Sequence, residues 1–333
     1  MKNILFKKDA FSKINNFNYL NINNESLHLF ISNNYNLKIY SILLIDAINI
    51  NSKNYIINTD HCKFVLKLVN KNKLNINNIE VNNYFLNNGI NTIKFIKNIN
   101  GEYIINYDTN YDAILIEYIE GINLNVESLK FNKFIKFINN LYKVSLNTNK
   151  NNNLISRKYY FDDNIINNLN KNNCNFLNED DINLIKNEFL LVKTQLKNKF
   201  TECISHIDIH PHNLLINENK NIYLIDFDSF QNSYLEVTIS FGIMKCFREF
   251  LVDIIETNAI NKRIKENIEI IKNEFNYMTF ENILNYSKIE YFFRTYIILF
   301  NYYTKNNKEW INYLDIQINN IKEINYIINL VKN

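Results

Sequence analysis

The sequence predicts an α+β protein in two parts: an N-terminal antiparallel β lobe with one helix, and a larger helical C-terminal lobe carrying one β hairpin. Three observations predict it. Residues 36–69 read as strands parted by polar turns, the apolar residues from about 127 onward recur at helical spacing, and residues 204–230 interrupt that spacing with two short apolar runs. We place the division at 120/121, with residues 1–35 as an N-terminal extension of the first lobe. The 333 residues suffice for two modest domains or one large one.

The chain has only 4 Gly and 1 Pro, and is rich in Asn, Ile, Lys, Tyr and Phe, as an AT-rich genome would make it. With so few, each Gly and Pro marks a place where backbone geometry demands it. Residues 37–45, 55–58 and 63–68 form an antiparallel meander, the last alternating Phe64, Leu66 and Leu68 on one face with Val65 and Lys67 on the other. A helix over 76–86 stops at Asn87-Asn88-Gly89, where Gly89 takes the left-handed position. Asn100-Gly101 turns a hairpin between strands 93–99 and 103–107, and a strand over 113–119 runs into Gly121. Helices follow at 129–144, 180–200, 248–271 and 286–331, with a hairpin of strands 214–216 and 222–225 between the second and third.

Composition excludes several classes. Hydrophobic residues at 47% and charged residues at 21% are ordinary globular usage, so the chain is not a disordered tail. A net charge of +3, spread along the chain, argues against nucleic acid as the partner. The cysteines Cys62, Cys174, Cys203 and Cys246 stand far apart without a CxxC pair, which fits a reducing cytoplasm and no disulfide framework. No apolar run approaches the ~18 residues a spanning helix needs, and residues 1–6 are too short for a signal-peptide core, so we expect a cytoplasmic protein with no membrane partner. Composition is silent on oligomeric state.

The chemistry concentrates around the only proline, in His206-Ile207-Asp208-Ile209-His210-Pro211-His212-Asn213, with Asp226-Phe227-Asp228 following the second hairpin strand. A hairpin brings its two flanks together, so Asp208 and Asn213 lie beside Asp226. An amide oxygen and a carboxylate suit Mg²⁺, which takes the rest of its shell from water and substrate phosphates. Asp208 is then left as the base that orients a hydroxyl and accepts its proton. Lys67, facing away from Phe64, Leu66 and Leu68, would reach the phosphates, with Glu80 on the next helix to hold it extended.

The order Phe-Val-Leu-Lys at 64–67, helix Glu80, the strand end Glu117-Tyr118-Ile119-Glu120-Gly121, then His-x-Asp-x-x-x-x-Asn at 206–213 and Ile-Asp-Phe-Asp at 225–228 resembles the aminoglycoside phosphotransferase and choline kinase-like family over roughly residues 36–250. The resemblance implies a two-lobed protein-kinase-like fold with ATP, or GTP, between the lobes. It implies Asp208 as catalytic base, Asn213 and Asp226 as Mg²⁺ ligands, Lys67 as the phosphate lysine and Glu80 as its partner. Glu117, Tyr118 and Ile119 match the hinge whose backbone holds adenine, and His206 matches the structural histidine opening the catalytic loop. His210 and Asp228 are expected around these groups, Asp228 first as a structural acceptor. One departure is that residues 50–54, where protein kinases carry a glycine-rich loop, have no glycine. That, and the lack of an Ala-Pro-Glu segment, disfavours a protein kinase.

The bland readings are a solvated strand lysine for Lys67, a surface carboxylate for Glu80 and core packing for Tyr118. His210-x-His212 has zinc-hydrolase spacing, but no histidine follows it. Arg248, Arg294 and the stripe Tyr291, Phe292, Phe293, Tyr296 read as core rather than as an acceptor pocket. The expected activity is ATP-dependent, Mg²⁺-assisted phosphorylation of a hydroxyl on a small amino alcohol, amino sugar or aminoglycoside-like acceptor. The alternative is a catalytically silent pseudokinase that binds nucleotide or a partner.

Overall fold

The computed structural model describes residues 18–21, 25–46, 52–125, 127–172, 174–252, 254, 256–308 and 310–332. In chain order the first elements are β1 (Asn18–Asn21), α1 (Glu25–Tyr35), β2 (Ile39–Asp46), β3 (Ser52–Thr59), β4 (Lys63–Asn70), α2 (Ile76–Asn87), β5 (Phe95–Ile96), β6 (Ile105–Asn106), β7 (Tyr111–Glu117) and β8 (Ile122–Asn123). Then come α3 (Phe131–Leu146), α4 (Asp163–Asn167), α5 (Glu179–Gln195), β9 (Glu202–His206), β10 (Leu214–Ile216), β11 (Ile222–Leu224) and β12 (Phe230–Tyr234). The chain continues with α6 (Leu235–Glu249), α7 (Thr257–Glu274), α8 (Phe280–Lys305) and α9 (Leu314–Lys332). The fold class is α+β, as the sequence predicts. The described residues fall into two compact units, one of residues 18–123 and 212–230, the other of 124–211 and 231–332.

In the first unit the antiparallel sheet runs β1-β2-β3-β4-β7, with β5 and β6 on the far edge of β7. Alternation along β4 gives the sheet two apolar faces. Phe64, Leu66 and Leu68 join Leu27 and Ile31 of α1 in one core, and Val65 joins Ile79 of α2, Ile114, Ile116 and Phe227 in another. The residues set apart as an N-terminal extension thus supply an edge strand and a covering helix. Residues 50 and 51 of the glycine-free segment lie outside the described residues, and its remainder begins β3.

α2 opens on Asn75, whose side chain accepts from the Asn77 N–H at 3.0 Å, and closes at Gly89 with φ +86°, its N–H donating to the Leu86 carbonyl. The turn at Gly101 also forms, closed by its N–H on the Asn98 carbonyl at 3.0 Å. Its flanks, however, do not pair with each other as a hairpin. Phe95 pairs with Ile116 and Ile105 with Ala113, so both short strands lie along the free edge of β7. The Asn98 side chain, accepting from the N–H groups of Asn100 and Glu102, absorbs the residues between them into a loop. The hairpin β10–β11 forms as expected and gains β8 as a third strand, through Leu215↔Asn123 and Ile216↔Ile122. It therefore clusters with the sheet unit rather than with the helices.

The second unit packs α5 and α8 around Ile185, Phe189, Phe292, Tyr296 and Leu299, with β9 paired to β12. α3 shows the helical stripe plainly, burying Phe131, Phe134, Ile135, Ile138 and Leu141. Two long helices expected from periodicity are each broken. The 248–271 stretch is the end of α6 and all but the end of α7, joined by a turn whose Phe250, Leu251 and Val252 are 3%, 0% and 5% exposed, so the apolar pattern runs on through a bend. The 286–331 stretch is α8 and α9, parted where Asn306 turns left-handed at φ 50°. Gly242 in α6 abuts Ile209, since a Cβ there would lie 2.8 Å from the Ile209 Cβ.

Gly121, between β7 and β8, has a similar constraint, as a Cβ would meet the Ile216 carbonyl oxygen at 2.9 Å. We expect Gly121→Ala to lower stability by about 1–3 kcal/mol, read as a shift in the urea midpoint at constant slope.

Candidate active site

In the first unit the hairpin register fixes two expected ligands at one end. Leu214 pairs with Leu224, and the Ile225 N–H donates to the Asn213 carbonyl at 2.9 Å, so Asn213 and Asp226 flank the same open end. Asp226 is left-handed, at φ 67° and ψ 60°, a conformation that costs a non-glycine residue on the order of 1 kcal/mol. Its Oδ2 accepts from the Ser229 hydroxyl at 2.6 Å, which orients the carboxylate. An amide oxygen and an oriented carboxylate are hard oxygen donors, and this donor set fits Mg²⁺. Among the described residues no group of three or more His, Cys, Asp or Glu is arranged to hold a metal ion.

Next to Asp226, Phe227 is 2% exposed, packed on Phe95 at 4.8 Å, and Asp228 emerges on its other side. The Lys67 ammonium lies 3.0 Å from the Asp228 carboxylate and 5.1 Å from the centre of the Phe227 ring. Burial pushes the Asp228 carboxyl up, Lys67 pulls it back, and Asp226 adds to the rise, leaving it above its ordinary value. The expected partner of Lys67 was Glu80, and here the structure corrects the sequence reading. Glu80 is exposed on α2, and it is Asn78, two residues earlier, that turns inward, its amide donating to the Asp228 carbonyl at 3.1 Å.

At the end of β7 the Glu117 N–H is committed to the Lys94 carbonyl at 2.9 Å and the Tyr118 N–H to the Lys63 carbonyl at 3.1 Å. Of these three backbone donors, among the described residues, only that of Ile119 has no such bond. The Tyr118 ring carries the Lys63 ammonium 5.4 Å from its centre. A cavity of 820 Å³ abuts this segment, lined by residues 117–122, Thr92 and Tyr223, and its lining does not include Lys67, Asn213 or Asp226.

The second unit holds Asp208. His206 is fully buried at the end of β9, and Asp208 follows two residues later in the loop. Its Oδ1 accepts from Arg294 Nη2 at 2.9 Å, and its Oδ2 lies 3.2 Å from His210 Nε2. Burial alone would raise this carboxyl, but the Arg294 charge and the His210 hydrogen bond overturn that and hold it well below the usual carboxylate range. Arg294 also donates through Nε to Glu290 at 2.7 Å. Glu290, 0% exposed, accepts in addition from both Arg157 nitrogens in reach and from the Tyr159 hydroxyl at 2.9 Å. Sequence reasoning left Arg294 with the core stripe and missed Glu290, Arg157 and Tyr159. The available signal was the Glu290/Arg294 spacing of four on one helix. Tyr291, Phe292 and Tyr296 are core, and Arg248 pairs with Glu323 at 2.6 Å.

No family model and no curated protein matches the sequence. Solved structures match its fold. A spectinomycin phosphotransferase in complex with ADP and spectinomycin superposes with a TM-score of 0.61 at 13% identity, over 94% of this chain and 99% of that one. Choline kinase LicA from Streptococcus pneumoniae gives 0.57 at 14% identity, over 90% and 98%, and a microcompartment-associated aminopropanol kinase 0.58 at 10%, over 92% and 95%. The fold is therefore that of the small-molecule phosphotransferases, the protein-kinase-like fold that the sequence resemblance implied. No helix among the described residues is long and apolar enough to cross a membrane.

A carboxylate whose folded value is depressed contributes stability above its unfolded value of about 3.9 and loses it as pH falls toward the folded one. We expect Asp208→Asn to lower the urea midpoint at pH 7, with the gap to wild type narrowing as pH is taken from about 4 downward. A gap constant across that range would remove the ion pair as its cause.

Proposed function

We propose that the chain is a small-molecule kinase that transfers the γ-phosphate of ATP to a hydroxyl of an amino alcohol, amino sugar or aminoglycoside-like acceptor. The observation that carries this is the Asn213, Asp226, Asp228 and Lys67 arrangement around one hairpin end, found on the fold of proteins that phosphorylate spectinomycin or choline. ADP, AMP-PNP and AMP are the nucleotides held by the neighbours, which supports ATP as donor.

Asn213 and Asp226 would hold Mg²⁺, which on binding neutralises charge on the transferred phosphoryl group. Lys67, fixed by Asp228, presents its ammonium to the phosphates. The Ile119 N–H is the donor offered to the base, and because this contact is a backbone one, GTP is an admissible substitute. Asp208, held ionised, orients the acceptor hydroxyl and takes its proton as the new oxygen–phosphorus bond forms. The reaction needs positioning and charge more than covalent chemistry, and each of these side chains supplies one of the two.

Two substitutions test this. Asp208→Ala should abolish Mg²⁺-ATP turnover over a panel of amino alcohols and aminoglycosides, measured as ADP release, while the nucleotide-induced thermal shift stays nearly intact. Asp226→Ala should remove the magnesium-dependent part of nucleotide binding, and an unchanged Mg²⁺-ATP affinity would contradict its role. Nucleotide binding by wild type without any turnover, including slow hydrolysis, would favour the silent pseudokinase.

A further inference from the structure

Glu290 poses a problem that its neighbours solve. A fully buried carboxylate is tolerated only when paired and hydrogen-bonded. Arg157 meets it with two nitrogens, the Tyr159 hydroxyl adds a third donor and Arg294 Nε a fourth. Because Arg157 already neutralises Glu290, the charge of Arg294 is not consumed there. Its other arm turns outward, with Nη2 on the Asp208 Oδ1 at 2.9 Å and on the Ile207 carbonyl at 3.2 Å. The guanidinium plane is backed by the Phe241 ring at 4.3 Å. One planar cation is thus held by a buried carboxylate on one edge, by the catalytic loop on the other and by an aromatic face beneath. His210 holds the second oxygen of Asp208 at 3.2 Å.

Resting on the kinase reading above, we propose that Arg294 is a positioning residue that sets the orientation of Asp208 by bridging it to the buried Glu290 anchor. The bridge needs a two-pronged cation. A lysine at 294 has a single terminal nitrogen and cannot span two carboxylates with fixed geometry. Ile207 and Asp208 are held together, so the bridge aligns the loop backbone as well as the carboxylate. Gly242 allows this alignment, because α6 packs directly on Ile209 in the same loop.

The experiment uses full-length R294A and R294K beside wild type and D208A, with Mg²⁺-ATP turnover, the nucleotide thermal shift and hydrogen exchange of the peptide spanning 206–213. R294A should lose about a hundredfold in kcat, the scale of a misplaced catalytic group, with KM for ATP and the thermal shift unchanged. Methylguanidinium in tens of millimolar should restore part of that rate in R294A and none in an R294A/D208A double variant. R294K should not recover the rate, and it carries the same kcat-against-KM comparison if R294A does not fold. Retained kcat in R294A, a parallel loss of ATP affinity, or full rescue by lysine would overturn the proposal. If wild type shows no turnover, the kinase reading fails by itself. The bridge is then judged by exchange alone, faster in the 206–213 peptide of R294A with the rest unchanged if it holds, and unaltered there if it does not.

Discussion

A buried phenylalanine between two aspartates organises the end of the β10–β11 hairpin. Phe227 is 2% exposed in a pocket made by Ile79, Ile93, Phe95, Ile114 and Ile116, and this apolar seat decides where its neighbours go. With the ring anchored, the chain must enter and leave the turn within two residues, which forces Asp226 into the left-handed region and sends Asp228 toward Lys67. Burying an aromatic side chain supplies stability on the order of 2–3 kcal/mol, enough to offset the backbone strain at position 226. The polar groups are thus placed by an apolar one, and Asn78 secures the arrangement from α2 by binding the backbone of the same turn.

The second unit uses the opposite device, a buried charge. Glu290 draws α8, the segment carrying Arg157 and Tyr159, and the loop carrying Asp208 toward one point, because none of these groups can be left unpaired at low exposure. Aromatic rings complete the cradle, with Arg157 over Phe293 at 4.8 Å and Arg294 over Phe241. The result for Asp208 is that, against the effect of burial, the Arg294 charge and the His210 hydrogen bond hold its carboxyl well below the usual carboxylate range.

Much of this was legible in the residues. Alternation along residues 63–68 assigned Lys67 to the right face of the sheet, and Gly89 and the 214–225 hairpin were marked by their turn chemistry. What was not legible has physical causes. The 250–252 bend is as apolar as a helix face, so periodicity passed through it, and the edge of β7 captured two segments that were expected to pair with each other. Charge favours Glu80 as the partner, whereas burial selects the uncharged Asn78, two residues earlier and about 200° round the helix from it. Arg294 looked like part of an aromatic stripe. A better signal was scarcity: the chain has four arginines among a great many lysines, and three of the four sit in ion pairs of low exposure, where a planar fork does what an ammonium cannot.

Position 242 shows where such a scaffold has no latitude. The helix and the loop approach so closely there that even one methyl group would be felt by the segment bearing Asp208. A larger residue at 242 has to push Ile209 aside, one position from Asp208, so variation along α6 has to leave that contact untouched.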